Sequence, residues 1–468
     1  MTPLRLYAEC ANGFRINHLR WFDMPHGFLD VTDRPMPTIQ ASSPVCMKLA
    51  HADRPVPPAP SGVDVAKPPY EVPSMAAIRA LPWNGFTVAS TFSGAGGSST
   101  GYRMAGFRVV YANEFVPAAL DTYRANMSEG TWLDSRDIRT VTAEDILDRL
   151  GIARGDLDLL DGSPPCASFS TAGVREKGWG KVKAYSDTEQ RSDDLFFEFS
   201  RLLRGLQPRT FVAENVSGLI KGTAKGYFLR ILADLKAAGY RVEARLLDAQ
   251  WLGVPQARQR LIFVGVRSDL ALAPAYPSPL PYRYSIRDAL PWVNAAVHDS
   301  YGQWRTEKAN NYSTGEVTDR PCPAVTVGAG GRNSAHYLVE APVEPSPFIE
   351  PEARMDGYAT GTEWDKLPPG GQSAKYFQLV RPFSDAPSPT VTALGGNAGL
   401  ASVTHPFERR KFSIAELRRI CSFPDDYVLT GTYQQQWERC GRSVPPVMMA
   451  AIASAVRDKV LAPARGGN

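Results

Sequence analysis

Between residues 86 and 267 the chain alternates short apolar runs with longer amphipathic segments. The apolar runs predict strands at 86–91, 108–113, 157–161, 210–214, 241–248 and 260–266. The amphipathic segments between them predict helices at 117–126, 143–150, 193–206 and 225–238. Because strands and helices alternate, the pattern predicts an α/β fold with a mostly parallel, doubly wound, Rossmann-like sheet.

The pattern changes before this region. Residues 1–50 have aromatic and apolar positions of their own and predict an N-terminal extension with a small folded β unit. Residues 51–84 are rich in proline and predict an extended linker. The first domain is therefore expected at 85–268.

The pattern also changes after Arg267, where short β-like runs rich in Pro, Gly, Tyr and Trp replace the alternation. Residues 269–383 therefore predict a smaller, mostly β or irregular domain. Helical patterning returns at 413–421 and 446–461, so residues 384–468 predict a C-terminal segment that packs back on the first domain.

Composition narrows the class of protein. The chain has 468 residues, 43% of them hydrophobic, and a net charge of +4, with a pI of about 8.6 that suits a nucleic-acid partner. No apolar run approaches the roughly 20 residues of a membrane span, and the first 30 residues lack a secretory pattern. Six cysteines show neither Cys-x-x-Cys pairing nor metal-like spacing with the six histidines. We expect an intracellular protein with free thiols, no metal and no membrane partner.

Two reactive side chains follow predicted strands. Cys166 ends a Pro-Pro-Cys turn after the strand at 157–161, and Glu214 ends the strand at 210–214. Open α/β sheets bind ligands beyond the carboxyl ends of their strands, so we expect the thiol and the carboxylate to face one pocket. A buried structural thiol is the alternative interpretation of Cys166, although two prolines hold it on a stiff turn.

A glycine-rich turn follows the first strand. Residues 92–97 read Phe-Ser-Gly-Ala-Gly-Gly and precede a helical stretch, an arrangement that brings backbone N–H groups close to a ligand. Glu114, at the end of the second strand, is placed to accept ribose hydroxyl protons. The pair predicts a nucleotide-like cofactor, although a glycine-rich turn alone is shared by many nucleotide binders.

Three later patches complete a set: Gln-Ala-Arg-Gln-Arg at 256–260, a Phe-Pro-Asp block within 418–427 and Gly-Arg-Ser-Val-Pro-Pro at 441–446. With these motifs in this order, the chain resembles the cytosine-C5 DNA methyltransferases over about residues 85–460. The resemblance implies a methyltransferase core that uses S-adenosylmethionine and a target-recognition domain at 269–383. It also implies a cytoplasmic enzyme of a prokaryotic or phage-infected cell that acts as a monomer on double-stranded DNA, in restriction-modification or phage protection.

The resemblance assigns roles to individual residues. It implies that Cys166 adds to C6 of a flipped cytosine, and that Glu214 binds N3 and the exocyclic amine. Arg260 then contacts the base carbonyl, and Arg258 braces the site. The implied cofactor-binding residues are Phe92, Gly94, Gly96, Glu114, Phe115, Asp137, Ile138, Leu195, Arg442 and Ser443, with Asp137 and Ile138 beside the adenine. Candidate base readers in the recognition domain are Lys308, Asn310, Asn311, Arg332 and Asn333.

Two positions depart from the family pattern, since Ala167 stands where glutamine is usual and Arg442 where asparagine is usual. The resemblance implies a sequence-specific DNA cytosine-C5 methyltransferase and places Arg442 in a loop near the transferred carbon. An alternative is that Arg442 selects carboxy-S-adenosylmethionine there, which would make the enzyme a cytosine-C5 carboxymethyltransferase. Alternatively it binds the methionine carboxylate, pairs with Asp425 or Glu438, or faces solvent. The sequence also leaves open a catalytically inactive DNA-binding regulator and a tRNA cytosine-C5 methyltransferase. A thiol hydrolase is disfavoured because no histidine lies near Cys166.

Overall fold

We describe the protein from a computed structural model. The described residues are 29–31, 67–127, 130–165, 183–185, 188–190, 194–220, 224–291 and 349–466, with 29–31, 183–185 and 188–190 described by their backbone. Cys166, Ala167 and the candidate base readers at 308–333 lie outside these ranges.

The described part of the chain contains the following elements. Its strands are β1 (Leu29–Val31), β2 (Thr87–Thr91), β3 (Arg108–Asn113), β4 (Trp132–Asp134), β5 (Leu159–Gly162), β6 (Lys183–Tyr185), β7 (Thr188–Gln190), β8 (Thr210–Val216), β9 (Tyr240–Asp248) and β10 (Gln259–Arg267). Its α-helices are α1 (Met75–Ala80), α2 (Gly97–Met104), α3 (Pro117–Asn126), α4 (Ala143–Leu150), α5 (Leu195–Leu206), α6 (Ala224–Ala237), α7 (Ile286–Ala289), α8 (Ala359–Trp364), α9 (Ile414–Ile420), α10 (Tyr433–Arg442), α11 (Pro446–Val456) and α12 (Ala462–Gly466).

Eight strands form one sheet in the order β1-β9-β10-β8-β5-β2-β3-β4. Strands β4, β3, β2, β5 and β8 run parallel, whereas β10 pairs antiparallel with both β8 and β9, and β1 pairs antiparallel with β9. The predicted doubly wound α/β fold is confirmed. The chain moves outward from β2 to β3 and β4 and then crosses to β5 on the other side, so the topological switch point lies between β2 and β5.

Most predicted elements agree with the structure, and the differences have physical causes. The strand predicted at 210–214 continues to Val216 because Arg260 of β10 pairs with Val216 and extends the ladder. The strand predicted at 157–161 begins at Leu159, where its pairing with Val88 of β2 begins. Strands β4, β6 and β7 and helices α1, α7, α8, α10 and α12 were not predicted.

Hydrophobic cores cover both faces of the sheet. In β2, Val88 packs in the cluster that contains Met448 of α11, whereas Ala89 packs in the cluster that contains Phe199 of α5. Such burial on both faces is typical of parallel strands in α/β proteins. Helix α11 therefore returns from the C-terminal part of the chain to the sheet, where it packs on α2.

A third cluster lies apart from the sheet. It joins Met75 of α1 and Ile286 of α7 to residues between 353 and 440, with Trp437 fully buried. This core therefore contains residues from before and after position 383, where the sequence predicts a domain boundary. It also contains residues of a helix within the proline-rich segment 51–84. Among the described residues, no helix combines the length and apolar character needed to span a membrane.

Candidate active site

The register of the parallel strands places two acidic side chains on one edge of the sheet. Four residues lie side by side where the parallel pairing of β3, β2, β5 and β8 ends, and they form one row across the sheet: Asn113, Thr91, Gly162 and Ala213. Glu114 follows the row at β3 and Glu214 follows it at β8. Since neighbouring strands lie about 4.8 Å apart, these two positions are about 14 Å apart across the switch point. They mark the two ends of one crevice.

The glycine-rich turn after β2 lies near the centre of this crevice. Its backbone is left-handed at Phe92 (φ 52°), Gly94 (φ 54°) and Gly96 (φ 87°), a region that favours glycine. A Cβ atom on Gly96 would lie 2.8 Å from the hydroxyl of Tyr427. Glycine is therefore required at position 96 both by backbone conformation and by the close approach of the C-terminal part of the chain.

Glu114 is held by the backbone around it. Its Oε2 accepts a hydrogen bond from the N–H of Gly94 (2.7 Å), and its Oε1 accepts from Phe115 (2.8 Å) and Val116 (2.7 Å). Burial raises the pKa of this carboxyl, against the effect of the three N–H donors. A carboxylate has about four acceptor sites, so Glu114 can accept from a further donor. The Phe115 side chain is 39% exposed beside it.

Two segments that carry predicted cofactor residues are joined by an ion-pair bridge. Arg139 contacts Asp137 (Nη1 to Oδ2, 3.2 Å) and Asp194 (Nη2 to Oδ1, 3.0 Å). Asp137 precedes Ile138, and Asp194 precedes Leu195 at the start of α5. The side chains of Ile138 and Leu195 are both buried in one cluster. The structure therefore brings together two segments that are far apart in sequence.

The C-terminal part of the chain covers the glycine-rich turn. The hydroxyl of Tyr427 donates to the carbonyl of Ala95, and a Cβ atom on Gly97 would lie 2.5 Å from the carbonyl oxygen of Val444. Ser443 is the C-cap residue that follows α10, and it donates through Oγ to the carbonyl of Arg439 (2.6 Å). These contacts place Ser443 beside the start of α2.

The prediction that Arg442 lies in a loop is wrong. Arg442 is the last residue of α10, and its Nε donates to Oε1 of Glu438 one helical turn earlier (2.6 Å). The other carboxylate oxygen of Glu438 contacts Nη2 of Arg439 (3.1 Å). Helix α10 begins with a capping box between Thr432 and Gln435, a sequence signal from which the helix could have been predicted.

A buried ion pair occupies the other end of the crevice. Nε of Arg260 lies 2.7 Å from Oε1 of Glu214. Arg260 is opposite Val216 and Glu214 is opposite Ile262, so the pair is a diagonal contact on one face of the β8–β10 ladder. Burial outweighs the nearby arginines and raises the pKa of Glu214, and burial lowers the pKa of Arg260.

The turn that leads to Cys166 is tied to the same strand. Nδ2 of Asn215 donates to the carbonyl of Pro164 (3.3 Å), and Pro164 is buried. Cys166 follows two residues later, outside the described residues. The stem of its turn therefore lies beside the strand that carries Glu214.

Arg258 contacts the C-terminal part of the chain rather than an acid. Its Nη1 donates to the carbonyl of Val391 (3.1 Å) and its Nη2 to that of Gly441 (2.7 Å), whereas Nε has no partner among the described residues. Burial lowers the pKa of Arg258 to about 9. The side chain therefore braces the start of β10 against two segments that follow the small domain.

A further buried acid was not predicted as a site residue. Asp161 of β5 accepts hydrogen bonds from Ser90 Oγ (2.8 Å) and the Tyr102 hydroxyl (3.1 Å). Ser93 Oγ in turn donates to the carbonyl of Ser90 (3.0 Å), which connects this group to the glycine-rich turn. Burial raises the pKa of Asp161 to about 7, and the charge of Glu214 adds to this effect. An acid in an otherwise apolar strand was the available sequence signal. Among the described residues, no cluster of His, Cys, Asp and Glu is suited to a metal ion.

The chain is similar to proteins of known family. The sequence model of the C-5 cytosine-specific DNA methylase family matches residues 86–458. The Type II methyltransferase M1.HphI of Haemophilus parahaemolyticus is 30% identical, over 79% of this chain and 86% of that protein. The Type II methyltransferase M.Eco47II of Escherichia coli is also 30% identical, over 80% of this chain and 79% of that protein.

The fold has solved counterparts. A prophage-encoded protein of E. coli, described as a DNA modification methyltransferase, aligns with a TM-score of 0.55 and 21% identity, and the match covers 81% of this chain and 100% of that chain.

Proposed function

The chain belongs to the C-5 cytosine-specific DNA methylase family, and we propose that it methylates C5 of a cytosine in a specific sequence of double-stranded DNA, through a covalent adduct with Cys166. The family and the fold support S-adenosylmethionine as the methyl donor. The observation that carries the proposal is the buried Glu214–Arg260 pair beside the stem of the turn to Cys166.

We propose that Cys166 and Glu214 act on opposite sides of the pyrimidine ring. The Cys166 thiolate adds to C6, and the electrons of the ring then make C5 nucleophilic. Glu214 has a raised pKa, so its carboxyl gives up a proton less readily and can share that proton with N3 while the adduct forms. The cofactor supplies the methyl group. Loss of the proton from C5 and departure of the thiolate then restore the aromatic ring.

The two arginines support the base in different ways. Arg260 is fixed by Glu214, and in the proposal its guanidinium contacts the carbonyl of the cytosine. Arg258 does not pair with Glu214 but holds the start of β10 against Val391 and Gly441. Because this site is buried at the sheet edge, a cytosine in duplex DNA must be flipped out of the stack to reach it.

The other end of the crevice is proposed to hold the cofactor. Glu114 would accept a hydrogen bond from a ribose hydroxyl, and Phe115, Asp137 and Ile138 would hold the adenine. Proposed cofactor contacts also come from Phe92, Gly94, Gly96, Leu195, Arg442 and Ser443. The fit is supported by the three backbone N–H groups that orient the Glu114 carboxylate at the switch point.

The structure favours methyl over carboxymethyl transfer. Selection of carboxy-S-adenosylmethionine would require the carboxylate of the cofactor to neutralise Arg442, but Glu438 already lies 2.6 Å from its Nε. The intact Glu214–Arg260 pair likewise favours an enzyme over an inactive DNA-binding regulator. We propose that the enzyme acts as a monomer on DNA, in the cytoplasm of a prokaryotic or phage-infected cell.

The covalent step can be tested directly. DNA from cells that express the protein should contain 5-methylcytosine by mass spectrometry of its nucleosides, and sequencing of that DNA gives the target. A duplex with 5-fluorocytosine at the target should then trap the wild type in a complex that survives denaturant. Cys166→Ala should neither methylate nor trap. Equal trapping by Cys166→Ala would contradict the mechanism, and DNA without 5-methylcytosine would contradict the function.

A further inference from the structure

The one-turn 3₁₀ helix Ala393–Gly396 presents an apolar side chain to solvent. Leu394 is 58% exposed, whereas Gly395 and Gly396 beside it are buried. A single exposed leucine is ordinary on a protein surface. This one differs because buried groups hold the backbone that carries it, and because hydrogen bonds tie that backbone to the residues directly before Arg260.

Buried groups hold this turn from the protein side. Nζ of Lys411 donates to the carbonyls of Gly395 (2.6 Å) and Asn397 (2.5 Å), and Lys411 is 2% exposed. Nε1 of Trp437 donates to the carbonyl of Thr392 (2.9 Å). A Cβ atom on Gly395 would lie 2.6 Å from the same indole nitrogen. The inner face of the turn is therefore filled, and Leu394 extends from its outer face.

The turn is also tied to the segment directly before β10, which contains Arg258. Thr390 Oγ1 donates to the carbonyl of Ala257 (2.6 Å), and Arg258 Nη1 donates to that of Val391 (3.1 Å). Leu394 is the third residue after Val391, so its Cα lies within about 10 Å of that of Val391, whose carbonyl Arg258 contacts. Arg260, which pairs with Glu214, is two residues from Arg258. Leu394 is therefore carried by a segment that hydrogen bonds tie to the chain directly before the Arg260–Glu214 pair.

We propose that Leu394 enters the duplex and occupies the gap left by the flipped cytosine. The inference rests on the proposed function and adds to it a residue for the flipping step. Removal of a base from the stack leaves an apolar cavity between its neighbours, and proteins that distort DNA fill such cavities with leucine, isoleucine or phenylalanine. A leucine on a rigid turn loses little conformational freedom on insertion, which suits this role.

A second exposed apolar residue provides a competing assignment. Phe377 is 77% exposed, and its neighbour Gln378 accepts a 3.4 Å hydrogen bond from Thr392 Oγ1. This single long bond joins its loop to the turn. Leu394 is the stronger candidate because its own turn is tied to the segment that Arg258 holds, whereas among the described residues Phe377 reaches that segment only through the turn.

The test compares Leu394→Ala with Leu229→Ala and Phe377→Ala. Leu229 lies on α6 and is 54% exposed, so it provides the same substitution at similar exposure away from the site. Each protein is assayed on a duplex with the mapped target cytosine paired to guanine and on one with the same cytosine mismatched. Thermal unfolding is measured for each, and 2-aminopurine placed at the target position reports flipping by its fluorescence.

We expect Leu394→Ala to lower kcat/KM about tenfold on the paired duplex and to reduce the 2-aminopurine signal. The defect should shrink on the mismatched duplex, where flipping costs less, and thermal unfolding and S-adenosylmethionine binding should be unchanged. Activity equal to that of Leu229→Ala, a defect of equal size on both duplexes, or a defect only in Phe377→Ala would overturn the inference. Because the wild type is assayed in parallel, failure of the proposed function would appear separately, as no methyl transfer to either duplex.

Discussion

Glu114 and Glu214 lie on the same edge of the sheet, and burial raises the pKa of both, but they are held in different ways. Glu114 accepts three hydrogen bonds from backbone N–H groups, two of them from the residues that directly follow it. Glu214 is paired with a side chain, that of Arg260 on the antiparallel strand β10. The proposed cofactor end of the crevice is thus organised by local backbone, and the proposed base end by pairing between strands.

The different partners of the two carboxyl groups suit different roles, cofactor binding for Glu114 and proton sharing for Glu214. A carboxylate fixed by backbone donors keeps one orientation, as expected for a group that recognises a constant part of a cofactor. A carboxyl that faces an arginine inside the protein can change its protonation when another partner arrives, as a group that shares a proton with a base must do. Substitutions at the two ends should therefore change different kinetic quantities.

The largest effect is expected at Glu214. Glu214→Gln removes the carboxyl that is proposed to share a proton with N3, and it leaves Arg260 without its partner carboxylate. We expect kcat to fall by about 10²-fold or more, and S-adenosylmethionine binding to stay within about twofold of the wild type because the cofactor end is distant. Single-turnover methyl transfer and calorimetric cofactor binding measure the two quantities. A large loss of cofactor affinity in this variant would contradict the view that the two ends of the crevice act separately.

Glu114→Gln should give the reverse result. Its amide NH₂ cannot accept from the backbone N–H groups, so at least one buried donor is left without a partner, which costs about 1–3 kcal/mol. We expect the dissociation constant of S-adenosylmethionine to rise about tenfold, with the single-turnover rate largely restored at saturating cofactor. Glu243→Gln, on the partly exposed pair with Arg245, is the matched control. A rate defect that saturating cofactor does not relieve would place Glu114 in the chemical step.

Asp161 lies between the two ends, and its prediction concerns stability. Its folded-state pKa of about 7 is above that of an unfolded aspartate, so the folded state binds more protons between about pH 4 and 7, and stability falls as pH rises through this range. Asp161→Asn keeps a neutral acceptor and removes this slope. We expect the variant to exceed the wild type by on the order of 2 kcal/mol at pH 8 and to match it near pH 4.

Urea unfolding at the two pH values measures this difference. The same advantage at both pH values would mean that Asp161 acts through packing rather than through its charge. A normal cofactor dissociation constant at pH 8 would show that the Asp161–Ser90–Ser93 connection supports the fold without orienting the glycine-rich turn.

The smallest effect is expected at Arg442. Its pair with Glu438 lies within one helix, where such contacts contribute about 0.3–0.5 kcal/mol. With S-adenosylmethionine and carboxy-S-adenosylmethionine in competition, wild type and Arg442→Asn should both yield 5-methylcytosine, as measured by nucleoside mass spectrometry. Carboxymethylcytosine from the wild type, and less of it from the variant, would show that Arg442 selects the cofactor despite Glu438.

Much of the cofactor end could be predicted from the sequence. The apolar runs predicted the α/β alternation. The glycines at 94 and 96 marked a tight turn, and both have the left-handed backbone that other residues rarely adopt. The place of Glu114 follows from the end of β3. Each of these features depends on residues close together in the chain, and this is why a single sequence reveals them.

The base end needed the tertiary structure. Arg258 and Arg260 were predicted as a pair of site residues, but the register of β8 against β10 decides that Arg260 meets Glu214, while Arg258 contacts Val391 and Gly441. Folding likewise decides that Asp161 is buried between Ser90 and Tyr102. Strand register and helix packing determine which buried charges meet, and these depend on free-energy differences summed over the whole core. The sequence by itself therefore determined the local backbone and the identity of the reactive groups, and only the tertiary structure decided their partners and protonation.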